Sequence, residues 1–381
     1  MRQPRAFHVA LMLVALIAFD GVFGHEGLGA DAPSTQFEAG SGNDCAPVNA
    51  HEFLCGAERP EDLARIPGTR WLVFSGFSDG SGLKLVDARA RTMRLWYTGA
   101  SNQIDRDARR FGACPSPPDA SLFNAQGLSL RSAGETRHFL YVANHGGRES
   151  VEIFLIDSAA DQPLLHWVGC VLMPAVTPAN SVATYSDGTI LASVLTRPGT
   201  SITDFVRGQN TGGVYQWRPG DRSFRLLPGT ELPGNNGIET ARDDSEFYVV
   251  AFGWRAVVVF SRNDTSRPLR KAIAPAFMPD NIHWDGPRLI LAGMQYDEPA
   301  CGGTRKIIDG KADDMRCHRG YVIAELNPQS LEFRTLAYAE PNPAFNGVSA
   351  ARILDGELWM GAYQGDRIAV RPLPGGSAPA N

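Results

Sequence analysis

The sequence repeats one pattern six times: a strand, a turn, a second strand, a loop and a third strand. Unit one is EDLARIPGTRWLVFSGFSDGSGLKLVD and unit two is QGLSLRSAGETRHFLYVANHGGRESVEIFLID. In later units the first two strands are joined by SDG at 186–188 and by DG at 285–286 and 355–356. These are the residues that tight hairpins require, so each unit predicts consecutive antiparallel strands.

A fourth, outer strand follows most units, in short runs such as MRLWYTG, SFRLLPG and EFRTLAYA. Six units of four antiparallel strands predict an all-β fold, a six-bladed β-propeller, over residues 61–375. A large β-sandwich is the competing interpretation. The 40 Gly and 26 Pro agree with a turn-rich chain, and no linker divides the repeats into two domains.

The N-terminus has the order of a secretory signal peptide. Arg2 and Arg5 precede the apolar run AFHVALMLVALIAF, and small residues follow it. We expect a signal peptide over residues 1–32 with cleavage between 24 and 32, and a secreted or periplasmic protein; an uncleaved anchor is the alternative. We further expect a disulfide-bearing segment at 33–60 that closes the last blade, and a flexible tail at 376–381.

Six cysteines in an exported chain predict disulfides, although the sequence permits many connectivities. Local pairing would join Cys45 to Cys55 and Cys301 to Cys317, because each pair is close in sequence and flanked by loop-forming residues. Cys114 would then pair with Cys170. The cysteine spacings match no zinc site.

The charge pattern argues against polyanionic partners. The net charge is −5, with both signs interspersed and no basic block. Nucleic acid and, after signal cleavage, a membrane are therefore not expected as partners. We expect a monomer that acts on a small molecule.

Polar residues recur just before the first strand of each unit. In a propeller these first strands line the central channel, so the six positions converge on the axis. The residues that share this position are Glu61 and Asp62, Gln126, Asn180, Asn236, Asp280 and Asn281, and Asn346.

Carboxylate and amide oxygens without Cys or His select a hard cation, and Ca²⁺ takes roughly six to eight such ligands. The sequence therefore predicts a calcium site in the channel, with Glu61 and Asp280 balancing its charge. The alternative is a network of Asn and Asp residues that only satisfy turn backbones. His283, two residues beyond Asn281, would either line the channel or lie in the core.

Several blocks resemble the paraoxonase and arylesterase family, within the larger group of senescence-marker-protein, gluconolactonase and strictosidine-synthase-like propellers. The blocks that carry the resemblance are PEDLARIPG, QGLSLR, YVANHGGRESVEIFLID, PANSVA, GNNGIE, VVAFGWRAVVVFSR, PDNIHWD and, more faintly, LDGELWMGA. The resemblance implies a catalytic calcium, and it places the ligands at Glu61, Asn180, Asn236, Asp280 and Asn281.

The resemblance also implies features that this chain has only in part. A second, structural calcium would be held by Asp62 and the backbone after Gln126, but Ser181 stands where the family has an aspartate. Of the family's histidine pair, His145 is present while Gln126 replaces the other member. A relay of two histidines is therefore excluded, and His145 would act alone as a base, orient water, or serve only as a loop residue.

The implied chemistry is hydrolysis of a lactone or an aryl ester at a calcium-polarised carbonyl, with water as the nucleophile. Asp280, Glu61 and His145 are the candidate bases, and the sequence does not choose among them. The long loop from Cys301 to Cys317 would form part of the pocket wall. Two alternatives stay open: a binding module with a structural calcium, and a sugar-lactone hydrolase of the gluconolactonase type. A strictosidine-synthase-like condensation is disfavoured, because no glutamate is placed to handle an amine.

Overall fold

Six four-stranded antiparallel sheets make up the computed structural model, which describes residues 45–313 and 316–374. The six-bladed propeller expected from the repeats is confirmed. The expected signal peptide, residues 33–44 of the N-terminal segment and the C-terminal tail lie outside the described residues. Within the described part, no helix is both long and apolar enough to cross a bilayer.

Blades 1 to 3 follow the chain in order after strand β1 (Glu52–Cys55). Blade 1 consists of β2 (Leu63–Arg65), β3 (Trp71–Ser75), β4 (Leu83–Asp87) and β5 (Thr92–Leu95). Blade 2 consists of β6 (Ala125–Ser132), β7 (Arg137–Asn144), β8 (Ser150–Asp157) and β9 (Leu164–Leu172). Blade 3 consists of β10 (Ser181–Thr184), β11 (Ile190–Val194), β12 (Gly213–Trp217) and β13 (Arg225–Leu226), with helix α1 (Ile202–Val206) between β11 and β12.

Blades 4 to 6 continue the same order. Blade 4 consists of β14 (Asn235–Thr240), β15 (Glu246–Ala251), β16 (Ala256–Ser261) and β17 (Arg270–Ile273). Blade 5 consists of β18 (Phe277–Asp285), β19 (Arg288–Gln295), β24 (Tyr321–Leu326) and β25 (Phe333–Ala339). The loop within blade 5 carries β20 (Asp297–Glu298), β21 (Gly303–Thr304), β22 (Ile307–Ile308) and β23 (Lys311–Ala312). Blade 6 consists of β26 (Val348–Leu354), β27 (Glu357–Ala362), β28 (Arg367–Pro372) and β1.

The ring of blades is closed by the N-terminal strand. β1 pairs antiparallel with β28, from Glu52 opposite Val370 to Cys55 opposite Arg367. His51, just before β1, places Nε2 2.6 Å from the Tyr321 hydroxyl of blade 5. Because the first and last parts of the chain share one sheet, blade 6 is complete only when both are in place.

Apolar faces of neighbouring blades pack against each other and form the core. Central strands such as β3 and β16 are buried along almost their whole length, because they have a sheet neighbour on each edge and a blade on each face. The largest buried side chains include Trp167 and Trp359. Burial of this apolar surface stabilises the fold by roughly 25 cal/mol per Å².

Three disulfides join Cys45 to Cys55, Cys114 to Cys170 and Cys301 to Cys317, the pairs that local pairing predicts. The first ties the chain before β1 to the end of β1. The second links the loop after β5 to β9. The third closes the base of the long loop in blade 5.

Removing the Cys45–Cys55 disulfide should lower the free energy of unfolding by about 2–4 kcal/mol. The bond restricts the segment that must find its place beside β28 to close the ring. Denaturant unfolding of the Cys45→Ala/Cys55→Ala variant measures the effect. The Cys301→Ala/Cys317→Ala variant is the control. Chain entropy alone predicts a slightly larger loss for it, because its closed loop is longer. A smaller loss in the control would therefore show that ring closure adds to the effect, and an equal or larger loss would show that closure is not the source.

Strands alternate in direction within each blade, so the loop between the second and third strands lies at the end where the innermost strand begins. We call this end of the propeller the upper end. The predicted polar residues and all six of these loops therefore share one end.

Candidate metal and catalytic site

The predicted polar residues at the start of the innermost strands meet across the channel. Asn281 of blade 5 donates from Nδ2 to Glu61 Oε1 of blade 1 over 3.0 Å, although blade 6 lies between these two blades. The Ser349 hydroxyl of blade 6 donates to the Glu61 carbonyl oxygen. We call the group that shares this level the axial ring; its members are Glu61, Gln126, Asn180, Asn236, Asp280, Asn281 and Asn346, all of them buried.

Irregular pairing turns several of these residues toward the axis. The register between the first and second strands shifts between Ala125 and Leu128, between Asn235 and Ile238, and between Pro279 and Ile282. Each shift contains an axial-ring residue. A bulge leaves extra residues unpaired in the ladder and re-aims their side chains, which explains how a polar group leaves the pleat to face the channel.

Two glycines let neighbouring innermost strands approach closely. A Cβ on Gly127 would lie 2.5 Å from Ser181 Cα, and a Cβ on Gly237 would lie 2.5 Å from the Asp280 carbonyl oxygen. No side chain fits at such distances. The glycine that follows Gln126 and the one that follows Asn236 therefore hold the ring at its present diameter.

Four buried oxygens of the ring have no hydrogen-bond partner within the described residues. They are Glu61 Oε2, Asn180 Oδ1, Asn236 Oδ1 and Asn281 Oδ1. Leaving a buried polar atom unpaired costs about 1–3 kcal/mol, and folded proteins rarely tolerate it without a reason. All four belong to the five residues predicted as calcium ligands.

The carboxylates give the ring an unfavourable concentration of negative charge. Burial, the charge of Asp280 and the charge of Asp62 raise the pKa of Glu61 well above its usual value. Hydrogen bonds from the side-chain amides of Asn281 and Gln126 lower the pKa of Glu61, but they do not outweigh the other effects. A cation at this level would neutralise the repulsion and favour the ionised form of Glu61.

The donor set fits a hard cation. Two carboxylates and three amides offer only oxygen, the ligand type that Ca²⁺ prefers. Among the described residues, His, Cys, Asp and Glu do not form a group of three that could hold a metal by themselves, so amide oxygens would have to contribute. Asn346 differs from the others, because its Oδ1 accepts from the Arg319 backbone N–H over 3.1 Å.

Asp62 lies next to the axial ring, and both of its carboxylate oxygens accept hydrogen bonds. Its Oδ1 accepts from the Leu63 backbone N–H and from His283 Nε2, each over 2.7 Å, and its Oδ2 accepts from the Leu128 backbone N–H over 2.7 Å. The possible second metal site with Asp62 and Ser181 stays a prediction. The Ser181 hydroxyl is buried without a hydrogen-bond partner in the described part of the chain.

His283 is a buried partner of carboxylates. Burial and the nearby Arg352 lower its pKa, but Asp62 and Glu239 outweigh them, so the pKa is raised. Its Nδ1 lies 3.9 Å from Glu239 Oε2. The sequence left open whether His283 lines the channel or lies in the core. Its side chain is 4% exposed and contacts Asp62 of blade 1.

His145 lies in the loop between β7 and β8, at the upper end. Its Nδ1 is 2.8 Å from Glu149 Oε2, and its Nε2 is 2.7 Å from Gln126 Oε1. The Phe77 ring meets the imidazole edge to face with centroids 5.6 Å apart. Thus Gln126 links His145 to the axial ring.

An apolar wall stands at the upper end on the side of blades 3 to 6. Its centre is formed by the buried side chains of Phe205, Phe252, Met278 and Met294. Met278 belongs to this wall and stands two residues before Asp280. Gly234 lies against Phe205 of the wall and stands two residues before Asn236. The guanidinium of Arg305, from the long loop of blade 5, lies 4.8 Å from the Phe252 ring centroid.

Comparisons with known proteins give no family assignment. The chain matches no protein-family model, and no curated protein matches it. Solved structures that match include a luciferin-regenerating enzyme (TM-score 0.49, 14% identity, covering 85% of this chain and 95% of that one). A gluconolactonase from Xanthomonas campestris matches with TM-score 0.48 and 15% identity over 85% and 89%. A Thermus thermophilus protein described as an oxidoreductase (glucose dehydrogenase) matches with TM-score 0.44 and 15% identity over 85% and 99%.

Sequence reasoning missed several residues that support the site. Glu149 lies in the β7–β8 loop, which has no repeated position, whereas Glu239 and Arg352 lie within the innermost strands β14 and β26. The sequence comparison considered only the residues before these strands. Gly127 and Gly237 did carry a signal, because each directly follows an axial-ring residue. Comparison of the units for Gly as well as for polar residues would have found them.

Proposed function

We propose that this protein is an exported, calcium-dependent hydrolase of lactones or esters. The observation that supports the proposal best is the set of four unpaired oxygens, on Glu61, Asn180, Asn236 and Asn281, among the described residues of the channel. Together with Asp280 these residues would hold the cation. When bound, calcium would supply a Lewis acid that polarises a carbonyl oxygen.

The proposed site has a polar side, formed by the axial ring, and an apolar side, formed by the apolar wall. The axial ring provides carboxylates, and Glu61 and Asp280 are the candidates to take a proton from water at this level. The apolar wall excludes water and would contact the hydrocarbon part of a substrate. His145 has a side-chain oxygen at each ring nitrogen, which does not suit a free base.

A sugar-lactone hydrolase is the second candidate. It would use the same ring oxygens, and the polar lining that includes Gln126, Asn346 and Gln364 suits substrate hydroxyls. The wall at Phe205 and Phe252 suits an apolar acyl or alkoxy group instead. A panel of aliphatic lactones, sugar lactones and aryl esters separates the two.

Hydrolysis of a substrate in that panel should depend on calcium and disappear with chelator, returning when calcium is restored. Thermal stability should rise with calcium by RT ln(1 + [L]/Kd), about 2.7 kcal/mol at a hundredfold excess over Kd. Calorimetry of the chelator-treated protein measures the shift. Activity that survives complete removal of calcium would refute the mechanism. Calcium binding without hydrolysis of any member of the panel would favour the binding module.

A further inference from the structure

Both ring nitrogens of His145 face oxygen atoms of side chains. Glu149 Oε2 lies 2.8 Å from Nδ1, and Gln126 Oε1 lies 2.7 Å from Nε2. The Glu149 carboxylate only accepts hydrogen bonds, so Nδ1 of His145 donates to it. This contact fixes hydrogen on Nδ1, and Nε2 faces the Gln126 amide.

The orientation of the Gln126 amide follows from its two neighbours. Its oxygen points to His145, so its NH₂ group is directed to the other side, where the Glu61 carboxylate lies. Gln126 therefore stands between His145 and Glu61, with one end of its amide directed to each.

This arrangement forms a chain of polar contacts from a partly exposed residue to the axial ring. The side chain of Glu149 is 30% exposed and that of His145 is 14% exposed, whereas Glu61 and Gln126 are buried. Glu61 meets Asn281 through Oε1, and Oε2 is unpaired within the described residues. Which oxygen of Glu61 faces the channel therefore depends on the groups that flank its carboxylate.

We propose that Glu149, His145 and Gln126 are positioning residues that hold the Glu61 carboxylate for cation binding. His145 is then a fixed donor in this chain of contacts. The inference rests on the proposed function, since it assigns the residues that set the calcium affinity of that site. Groups that orient metal ligands from outside typically change metal affinity by about 10- to 100-fold when removed.

Calorimetric titration of calcium into the chelator-treated full-length protein tests the proposal. Gln126→Leu and Glu149→Leu should raise the calcium Kd by about 10-fold or more. Glu149→Gln keeps an oxygen acceptor for Nδ1 and should stay close to the wild type. Glu325→Gln, which alters an ion pair with Arg334 on the outer strands of blade 5, is the matched control.

Two further readouts separate positioning from a general loss of structure. Melting temperatures in chelator should be similar for Glu149→Leu and Glu149→Gln, although their calcium affinities differ. Ring ¹⁵N NMR, assigned with a His145→Gln sample, should show hydrogen on Nδ1 of His145, the nitrogen that faces Glu149. Wild-type Kd values in both Leu variants, or a His145 ring without hydrogen on Nδ1, would overturn the positioning chain alone. A wild-type protein that binds no calcium would overturn the proposed function and this inference with it.

Discussion

Replacing Asp280 with Ala should cause the largest loss of activity among single substitutions in the axial ring. Asp280 and Glu61 are the two buried carboxylates of the axial ring. The variant therefore removes one of the two negative charges that would face the proposed cation. Calcium affinity in oxygen sites depends strongly on the number of charged ligands. We expect the calcium Kd to rise at least about tenfold and kcat/KM to fall at least about 10²-fold.

The control for this variant is Asp285→Ala. Asp285 ends the same strand, β18, and its substitution changes the net charge equally at the opposite end of the propeller. Calcium titration and hydrolysis should be close to wild type for this control. Retention of wild-type calcium affinity by Asp280→Ala would remove Asp280 from the ligand set, and no calcium binding by the wild type at millimolar concentration would refute the site itself.

The level at which the polar residues meet was predictable because strand order and side-chain alternation are local properties. Six repeats with the same order place equivalent residues at equivalent heights, so Glu61, Asn236 and Asp280 could be aligned without coordinates. Asn281 of blade 5 contacts Glu61 of blade 1, two blades away, at this level. Calcium occupancy stays a prediction, supported by the unpaired oxygens.

Contacts between loops were not predictable from the repeats. Glu149 meets His145 because the β7–β8 loop turns back on itself, and Gln126 meets it because β6 is bulged. The turn of the β7–β8 loop has no periodic signature, so the sequence did not reveal the contact between Glu149 and His145. The long loop from Cys301 to Cys317 was expected to form part of the pocket wall. Its residue Asp313 is paired over 2.9 Å with Arg319, just beyond the loop, and both side chains are buried.

The sequence predicted on which side of its strand His283 lies, but it did not predict the partner of its side chain. The alternating strand predicts its side chain on the same side as Asn281, and both side chains contact blade 1. Its partner Asp62 is 221 positions away in sequence, beyond any local pattern. The pair therefore joins blade 5 to blade 1 without passing through blade 6, and it should contribute to the stability of the whole ring.

Replacing His283 with Leu should lower the free energy of unfolding by about 3–5 kcal/mol, the usual cost of breaking a buried ion pair by removing one partner. Both side chains are nearly inaccessible, at 4% and 0% exposure, so water cannot replace the lost donor to Asp62. This is a large fraction of the roughly 5–15 kcal/mol that stabilises a typical domain. Denaturant unfolding at fixed calcium concentration measures it.

A double-mutant cycle distinguishes the pair from simple loss of packing. Asp62→Asn removes the buried charge, so His283→Leu should cost less in that background than in the wild type, and the difference is the coupling free energy. Glu325→Gln, at an ion pair on the outer strands, should change stability little. Equal costs of His283→Leu in the two backgrounds would mean that the imidazole only fills space, and the Asp62 carboxylate would then be held by the Leu63 and Leu128 backbone N–H groups alone.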